Sequence, residues 1–468
     1  MSPTIIARKK QDESALYLRT IKMKTGDSVL EEEPYCHVLL QKHRGALCDR
    51  CFTRVDTLKK CTGCGVLWYC DKSCQKRDWT VHKLECKCLK QVLPKIPMDS
   101  VRMMLRLIIT KSRNLPMNSP WSRNFDDLMT HSDDIRADNT RTEQFGKVVF
   151  TLNEYAGKVV NLPSAAELYD IFCRMVINSF TICDGELQDL GTGIYLSGSM
   201  LDHSCKPNAV PTFHGCTLSV RAVEDIPDFS PNKVFISYVE QLSPVSERQA
   251  ALKEQYYFDC KCERCLDEEY SETMTSFCCP VQNCDGLVCL SQGSEFKPCR
   301  KCGTKDFSSE LKKGALGVLN DCKTQLENID SEKKSGNSKK VFERCKKLIQ
   351  ETSNILHPLN VYAVRLLDRA FDAAVEEEQW EKALKYGLKT FKAYSTYYPK
   401  YSPNYAIQLF KVGKLQLYLQ CMEDALRNLE QAQSILSVTH GTEHDIYKNV
   451  TLFLNQCKEE MRVNGSND

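Results

Sequence analysis

Apolar runs with the character of short strands occur in two parts of the chain. Residues 15–40 contain such runs around the turn-forming sequence KTGD at 24–27. Residues 194–240 contain four more: IYLSGSM, AVPTFH, TLSVRAV and KVFISYV. Both parts therefore predict β-strands joined by tight turns.

Between these two parts, apolar side chains recur with helical spacing in two segments. Residues 99–112 and 165–183 show this spacing and predict helices. Residues 113–141 are polar and hold Pro116 and Pro120, which predicts a loop or a loosely held helix.

From about residue 308 onward the pattern is helical and contains one weak repeat. WEKAL at 380–384 recurs as MEDAL at 422–426, a spacing of 42 residues, and each is followed by another amphipathic stretch. This resembles helix-pair repeats of the tetratricopeptide kind, whose usual period is about 34 residues, so an ordinary helical bundle remains an equal alternative. The polar sequence at 329–340 predicts an exposed loop within this helical region.

Length and charge restrict the class of protein. The 468 residues predict two to four domains. The 63 basic and 61 acidic side chains nearly balance, so the net charge of +2 gives no overall attraction to nucleic acid or to an anionic membrane. No apolar stretch is long enough for a membrane span, and the first residues lack the apolar core of a secretory signal. We therefore expect a protein that stays inside the cell.

The 26 cysteines are the most informative feature of the composition. A reducing compartment disfavours structural disulfides, and cysteines in closely spaced pairs then indicate zinc. Eight of them lie between Cys48 and Cys88, and nine lie between Cys260 and Cys302. The four beyond residue 306 are singly placed and predict ordinary buried thiols.

The first cysteine group has the spacing of two interleaved zinc sites. Its eight ligands are Cys48, Cys51, Cys61, Cys64, Cys70, Cys74, His82 and Cys86. His82 and Cys86 are four residues apart and share one face of a short predicted helix. The spacing predicts one zinc on Cys48, Cys51, Cys70 and Cys74, and a second on Cys61, Cys64, His82 and Cys86. Free core cysteines are a poor alternative because so small a segment needs a metal to fold.

The second cysteine group predicts a third zinc site and suggests a fourth. Cys260, Cys262 and Cys265 supply three thiolates, one short of a closed site, and Cys205 can supply the missing ligand from a distance. Two further pairs follow, which are Cys279 with Cys284 and Cys299 with Cys302. They predict a small zinc ribbon, although Cys278 and Cys289 are spare neighbours and unmetallated cysteines remain an alternative.

The first group closely resembles the MYND zinc finger. Beside the ligand spacing, it shares the step Trp68-Tyr69-Cys70, the pair Cys74-Gln75, and Trp79 three residues before His82. The resemblance implies a module that binds proteins, usually through proline-rich peptides.

With the later motifs, nearly the whole chain is similar to the SET-and-MYND (SMYD) family of protein-lysine methyltransferases. These motifs are NSFTIC at 178–183, GTGIY at 191–195, DHSC at 202–205, FISY at 235–238, FDCKCERC at 258–265, KVGKLQL at 411–417 and THGTEH at 439–444. The resemblance implies an α+β fold with a SET-type β core that a zinc finger splits, a post-SET zinc region, and an all-α helical-repeat domain.

The family likeness also implies domain boundaries. They are an N-terminal part of the split core at 1–47, the finger at 48–86, a helical insertion at 87–175, the SET core at 176–240, the post-SET region at 241–306, and the tetratricopeptide-like helical domain at 307–468.

Family membership further implies methyl transfer from S-adenosylmethionine to a lysine of a histone or another protein. Tyr238 would orient the lysine amine, with Phe180 and Tyr256 lining the lysine channel. The cofactor would lie against Asn178, Asp202, His203 and Phe258.

Two departures from the family pattern fall on the cofactor site. The Gly-x-Gly turn of the family is replaced by ESAL at 13–16, and Asp202 stands where the family has asparagine. An ionised aspartate accepts hydrogen bonds but cannot donate them. The segment 130–132 (THS) also matches the cofactor-side loop of the family poorly. A catalytically weak or inactive scaffold, acting through protein interactions of its zinc finger and helical domain in transcriptional regulation, is the alternative to an enzyme.

Partners and location follow from the same resemblance. We expect a monomer in the nucleus and cytoplasm that binds protein substrates or peptides, including histone tails or proline-rich segments. Basic residues of the finger, such as Lys59 and Lys60, are explained by a solvated face, so direct nucleic-acid binding is not expected.

Overall fold

The computed structural model describes residues 22–113, 119–291, 295–334 and 336–464. Its strands, in chain order, are β1 (Ser28–Glu32), β2 (Cys36–Leu39), β3 (Lys59–Lys60), β4 (Trp68–Tyr69), β5 (Ser179–Cys183), β6 (Asp189–Ile194), β7 (Asp202–His203), β8 (Ala209–His214), β9 (Thr217–Ala222), β10 (Phe235–Ile236), β11 (Phe277–Cys278) and β12 (Leu287–Val288). Its helices are α1 (Lys72–Val92), α2 (Asp99–Ser112), α3 (Ser132–Ala137), α4 (Asn139–Ala156), α5 (Ala165–Asn178), α6 (Val245–Tyr256), α7 (Glu263–Leu266), α8 (Glu268–Thr273), α9 (Ser309–Lys334), α10 (Ser338–Thr352), α11 (Val361–Glu376), α12 (Trp380–Tyr397), α13 (Pro403–Tyr418), α14 (Met422–Thr439) and α15 (Asp445–Asn464).

The β core consists of small sheets built from both halves of the sequence. β1 pairs with β9, which also pairs with β8, and all of these pairings are antiparallel. β2 pairs with β6, which also pairs with β5. A short parallel pair, β7 with β10, lies beside them. Leu30, Ile182 and Leu218 are buried in one shared apolar core, so strands that precede the finger complete sheets whose other strands follow it.

The finger is continuous with the helical layer of the fold. Asp71 caps α1 by accepting a hydrogen bond from the backbone N–H of Cys74 at 2.7 Å. The helix then runs for 21 residues, longer than the short helix expected, and its Leu89 is buried in one core with Leu105 of α2 and Leu152 of α4. The finger therefore shares its core with the helical insertion.

The C-terminal helices confirm the repeat of 42 residues as a structural one. α12 and α14 begin at the two related sequences and are 18 residues long each, and the helices before them, α11 and α13, are 16 residues long each. The turns also correspond, because Glu378 and Gln420 take positive φ angles of 54° and 60°.

Several local predictions are confirmed. α2 has the predicted bounds of 99–112, and the turn at 24–27 closes by a backbone hydrogen bond of 2.9 Å from Asp27 to Lys24. β8 and β9 form two of the predicted strands, and most of the described part of 113–141 lies outside regular helix. The start of the predicted strand region, residues 15–21, lies outside the described residues.

Two predicted elements are wrong in part. The helix predicted at 165–183 ends at Asn178, since Ser179 turns to an extended conformation and the following residues pair with β6. In the run 194–200 only Ile194 belongs to a strand, because Glu32 accepts hydrogen bonds from the backbone N–H groups of Ser197 and Gly198 and holds a turn there.

The predicted exposed loop at 329–340 is largely helical. α9 continues to Lys334 and α10 starts at Ser338. The physical reason is that Ile329 is buried and Asp330 pairs with Arg369 at 2.7 Å, so both residues hold the last turns of α9 against α11.

Candidate functional site

The finger brings its eight predicted ligands into two groups of four. The first group contains Cys48, Cys51, Cys70 and Cys74, and the second contains Cys61, Cys64, His82 and Cys86. Within each group the ligand atoms lie within 4.8 Å of one another. This is the interleaved arrangement that the spacing predicts.

The distances between ligand atoms fit zinc. The Sγ atoms of Cys51 and Cys70 are 3.7 Å apart, and those of Cys61 and Cys86 are 3.8 Å apart. Tetrahedral zinc with Zn–S bonds of about 2.3 Å requires sulfur separations of about 3.8 Å. The separation of 3.6 Å between Cys64 Sγ and His82 Nε2 also fits, because Zn–N bonds are shorter.

A buried cluster of charged side chains orients the ring of His82 through its Nδ1 atom. Its Nδ1 lies 3.0 Å from Oε2 of Glu85, which leaves Nε2 for the metal. The same carboxylate accepts hydrogen bonds from Arg102 at 3.0 Å and Arg106 at 2.6 Å. Burial would raise the pKa of Glu85, but the two guanidinium groups and His82 outweigh it and hold that pKa well below its usual range. Both arginines belong to α2, so the cluster couples the finger to the helical insertion.

The third group forms where the sequence predicts a post-SET zinc site. Cys205 converges with Cys260, Cys262 and Cys265, and the Sγ atoms of Cys205 and Cys265 are 3.5 Å apart. The buried Arg248 donates from Nε to Cys205 Sγ at 3.3 Å and from Nη2 to Cys265 Sγ at 3.6 Å. Four thiolates carry excess negative charge around a zinc ion, and this guanidinium partly offsets it. Sequence reasoning missed Arg248.

Arg264 connects this third group to the C-terminal helices by hydrogen bonds. It donates from Nη1 to the backbone carbonyl of Cys205 at 3.1 Å and from Nη2 to that of Tyr397 at 2.7 Å. Sequence reasoning missed this residue too, although its place between two cysteine ligands was a usable signal. The remaining group, Cys279, Cys284, Cys299 and Cys302, also converges.

A cavity of about 400 Å³ opens beside the third zinc group, between β5, β8 and the segment that follows β10. It is lined by Met129, His131, Ile177, Asn178, Ser179, Phe180, Thr181, Ser199, Asp202, Pro211, Phe213, Ile236, Ser237, Tyr238, Tyr256 and Phe258. Six of the seven residues predicted to orient the lysine, line its channel or contact the cofactor are in this set. Its volume and mixed lining are those of a small-molecule site.

Tyr238 is one of the residues that line this cavity. The hydroxyl donates to the backbone carbonyl of Leu201, and the ring lies 4.8 Å from that of Tyr256. Burial, with smaller contributions from Asp202 and Tyr256, raises the pKa of Tyr238, so the group remains a neutral phenol at physiological pH.

His203 lies behind Tyr238 and is absent from the described lining residues. Its Nδ1 accepts the backbone N–H of Tyr238 at 3.0 Å, and its Nε2 lies 3.2 Å from Cys205 Sγ. Burial and Arg248 lower the pKa of His203 to about 4, so the ring is neutral. It therefore links the third zinc group to the position of Tyr238.

Asn178 is held rigidly at the end of α5. Its amide group donates to the backbone carbonyls of Met129 and Arg174, both at 2.8 Å. Since these bonds use its two N–H donors, the side chain offers its oxygen as an acceptor to a ligand. Asp202, in contrast, is exposed at the cavity, and Phe258 packs against His203 with ring centroids 6.0 Å apart.

Several lining residues were missed by sequence reasoning. Pro211 and Phe213 lie on one face of β8, and the alternation along that predicted strand could have identified them. His131 takes a left-handed conformation, with φ 47°, and contacts Tyr257; it belongs to the segment 130–132, which matches the cofactor-side loop of the family only poorly. The departure at 13–16 lies outside the described residues.

The comparisons with known proteins agree with this architecture. The family model described as the MYND finger matches residues 48–86. The chain is 31% identical to the histone-lysine N-methyltransferase SMYD3 of Homo sapiens over 94% of both chains. It is 28% identical to the N-lysine methyltransferase SMYD2-A of Danio rerio over 95% of this chain and 94% of the relative. It is also 28% identical to the histone-lysine N-methyltransferase ASHR1 of Arabidopsis thaliana over 93% of this chain and 91% of the relative.

The split β core, the zinc finger inserted in it and the cavity beside the third cysteine group define a protein of the SET-and-MYND class. With this extent of similarity, the chain belongs to the SMYD family. Among the helices in the described ranges, none combines the length and apolar character needed to span a membrane.

Proposed function

We propose that this protein is a lysine N-methyltransferase that transfers a methyl group from S-adenosylmethionine to a lysine side chain of another protein. The observation that carries the proposal is the position of Tyr238, a neutral phenol that lines a cavity with Phe180 and Tyr256 also in its walls. Relatives of nearly the same length are named as lysine methyltransferases, which supports the same reaction.

The cavity suits the cofactor in size and in donor set. Its volume of about 400 Å³ falls in the range of pockets that enclose small molecules. Asn178 supplies an oxygen acceptor for the amino group of the cofactor, and Phe258 supplies an apolar surface. When bound, S-adenosylmethionine supplies a methyl group already activated by its sulfonium.

Tyr238 would position the lysine amine. Its hydroxyl hydrogen is committed to the carbonyl of Leu201, so its oxygen remains free to accept an N–H of the amine. This directs the nitrogen lone pair away from the hydroxyl and along the channel.

The aromatic walls would keep the lysine neutral. The rings of Tyr238 and Tyr256 are 4.8 Å apart, and burial raises the pKa of both phenols, so neither carries a charge. An apolar channel disfavours the ammonium form of lysine and excludes water, which leaves the amine as the nucleophile.

Titration calorimetry with S-adenosylmethionine tests whether the cofactor site works. We expect measurable heat of binding for the zinc-loaded protein. No heat at millimolar cofactor, with zinc content verified, would contradict the enzyme and support the scaffold alternative.

The variant Asp202→Asn tests the departure at that position in the same experiment. Asparagine restores a donor, and one hydrogen bond to a charged group contributes about 1.5–3 kcal/mol, so we expect binding to tighten about tenfold or more. Unchanged affinity would mean that Asp202 does not contact the cofactor.

The partners and location that we propose are those expected from the family. The substrate is a lysine of a histone or another protein, the finger takes proline-rich peptides, and the protein acts as a monomer in the nucleus and cytoplasm. Pull-down with proline-rich peptides, compared with scrambled ones, checks the role of the finger.

A further inference from the structure

Four cysteine thiols converge at a point that neither the finger nor the third zinc group includes. Cys279 and Cys302 have their Sγ atoms 3.5 Å apart, and Cys284 and Cys299 have theirs 3.8 Å apart. All four sulfur atoms lie within 4.8 Å of one another. These separations match tetrahedral zinc, in which sulfur atoms lie about 3.8 Å apart.

The backbone at this point repeats a metal-binding turn of the finger. In the finger, Cys61 and Cys64 are followed by Gly65, whose N–H donates to the carbonyl of Cys61 at 2.8 Å and whose φ is +67°. Here Gly303 follows Cys302, donates to the carbonyl of Cys299 at 3.0 Å, and has φ of +76°.

Backbone N–H groups also donate to sulfur in both turns, although to different members of the pair. The N–H of Val66 donates to Sγ of the second cysteine, Cys64, at 3.4 Å, and the N–H of Lys301 donates to Sγ of the first cysteine, Cys299, at the same distance. Backbone donors of this kind stabilise thiolate ligands of a metal.

The hairpin that carries the other pair is shaped around the same sulfur atoms. β11 and β12 pair in antiparallel register, and Cys279 donates its N–H to the carbonyl of Gly286 at 3.0 Å. A Cβ atom at Gly286 would lie 2.5 Å from Cys299 Sγ and 3.2 Å from Cys284 Sγ. Only glycine leaves room there for the four sulfur atoms.

The two spare cysteines point elsewhere. Cys278 donates from Sγ to the carbonyl of Leu356 at 3.4 Å, and Cys289 is 1% exposed in the interior. The ligand set is therefore defined by the geometry.

The hairpin also contacts the C-terminal helices through its backbone. Cys278 donates its N–H to the carbonyl of Ile355 at 2.8 Å, and His357 donates to that of Ser276 at 3.2 Å. The side chain of Asn360, which caps α11, donates to Ser276 as well, at 2.9 Å. The hairpin thus runs along the connection between α10 and α11.

We propose that Cys279, Cys284, Cys299 and Cys302 bind a fourth, structural zinc ion, and that this ion holds the hairpin of β11 and β12 against the connection between α10 and α11. A hairpin with two residues in each strand has little core of its own, so a metal is the stabilising element that its size requires. The site lies apart from the cavity and does not depend on the proposed reaction.

Native mass spectrometry and thiol alkylation test the site in the unmodified protein. We expect four zinc ions per chain, one for each convergent group. Cys302 and Cys421 are both exposed, but Cys421 lies outside every such group, which makes it an internal reference. Iodoacetamide should modify Cys421 rapidly and leave Cys302 protected until a chelator is added.

Three zinc ions per chain, or equal modification of Cys302 and Cys421, would overturn the proposal. Protection of Cys302 by a disulfide would also overturn the proposal. Such a disulfide is recognised because iodoacetamide would still fail to modify Cys302 in denaturant without a reducing agent.

Variants then test the role of the ion. Cys284→Ser combined with Cys302→Ser should lower the zinc content by one ion per chain and speed amide exchange at residues 276–278 and 355–361. Cys278→Ser, which changes a neighbouring cysteine outside the ligand set, is the matched control and should keep all four ions. Unchanged exchange in the double variant, despite the lost ion, would remove the proposed role in holding the hairpin.

Discussion

Glu85 shows how one buried residue connects a metal ligand to the rest of the molecule. It is fully buried, and its Oε2 atom contacts His82 and Arg106 while its Oε1 atom accepts hydrogen bonds from Arg102. A buried charge is tolerated only when partners compensate it, so each member of this cluster depends on the others. The geometry of the second zinc group is therefore set partly by α2, outside the finger.

We expect Glu85→Gln to destabilise the finger and helical insertion strongly. Glutamine leaves the buried Arg102 guanidinium without its counter-charge and leaves Arg106 with Asp78 alone, and breaking a buried pair costs about 3–5 kcal/mol. That corresponds to a drop of about 10 °C in the melting temperature of the transition involving this region, measured by calorimetry. Glu143→Gln, which breaks the exposed pair with Lys147, is the control and should leave melting unchanged. Equal melting of both variants would contradict the role of Glu85.

The predictability of single residues depends on whether their chemistry is local. The finger ligands could be grouped from spacing alone, because a Cys-x2-Cys pair points both thiolates at one metal. Cys205 lies 55 residues before Cys260, but it was predictable because three thiolates leave a site one ligand short. Met129 could not be predicted, since the fold alone brings it to the cavity, and the poor family match at 130–132 was too weak a signal to select His131.

At the scale of elements, α1 connects the finger to the core of the helical insertion. It holds Cys74 in its first turn, His82 and Cys86 further along, and Leu89 in the core with α2 and α4. Zinc binding along this helix therefore stabilises its packing against the helical insertion. The sequence pattern around Asn178 shows where the boundary of an element cannot be predicted. An apolar run continues there from α5 into β5 and suits both a helix and a strand. The pairing of β5 with β6, a long-range contact, decides between them.

The contact between α11 and α12 predicts a specific dependence of stability on pH. Burial and the neighbouring Asp372 raise the pKa of Asp368 to about 7, and Tyr394 donates a hydrogen bond of 3.1 Å to it. In the unfolded chain this carboxyl group titrates near pH 4, about its ordinary value. The folded protein thus holds an extra proton between about pH 4 and 7, and its stability falls as the pH rises through that window.

We expect Asp368→Asn to remove this part of the pH dependence. Asparagine cannot ionise, so the variant should melt at a higher temperature than the wild type at pH 8 and differ less from it at pH 5. Differential scanning calorimetry between these values measures the effect. A variant that melts lower than the wild type at pH 8 would contradict the destabilising charge at Asp368.

At the scale of the whole molecule, the C-terminal helices support the cavity from outside. His444 lies with its Nε2 3.0 Å from the carbonyl of Phe213, a residue that lines the cavity. Arg221 donates to the carbonyl of Val438 at 2.9 Å, which ties β9 to α14. The sequence predicts a separate helical region, but these contacts between distant segments depend on the assembled fold.

The contacts just described form a junction between the C-terminal helices and the β core, and this junction should weaken in acid. Burial, with His444 and Arg221 nearby, lowers the pKa of His440 to about 3, against about 6.5 in an unfolded chain. The unfolded state therefore binds more protons below about pH 6.5, and the stability that neutral His440 permits is lost progressively as the pH falls toward 3.

We expect His440→Gln to flatten the decline of melting temperature between pH 6.5 and 5. His43→Gln, in a half-exposed position outside the junction, is the control and should preserve the wild-type decline. A decline in the His440 variant as steep as that of the wild type would place the acid-sensitive group elsewhere.

Methyl transfer by Tyr238→Phe tests the proposed reaction most directly. The measurement is incorporation of methyl from isotope-labelled S-adenosylmethionine into lysine of a protein substrate such as histone, located by mass spectrometry, with cofactor affinity measured in parallel. We expect the wild type to methylate lysine, and the variant to lose transfer by about a hundredfold or more while its cofactor affinity stays nearly unchanged. Transfer by the variant at the wild-type rate would contradict the role assigned to Tyr238, and a wild type that binds the cofactor but methylates no lysine would contradict the proposed function.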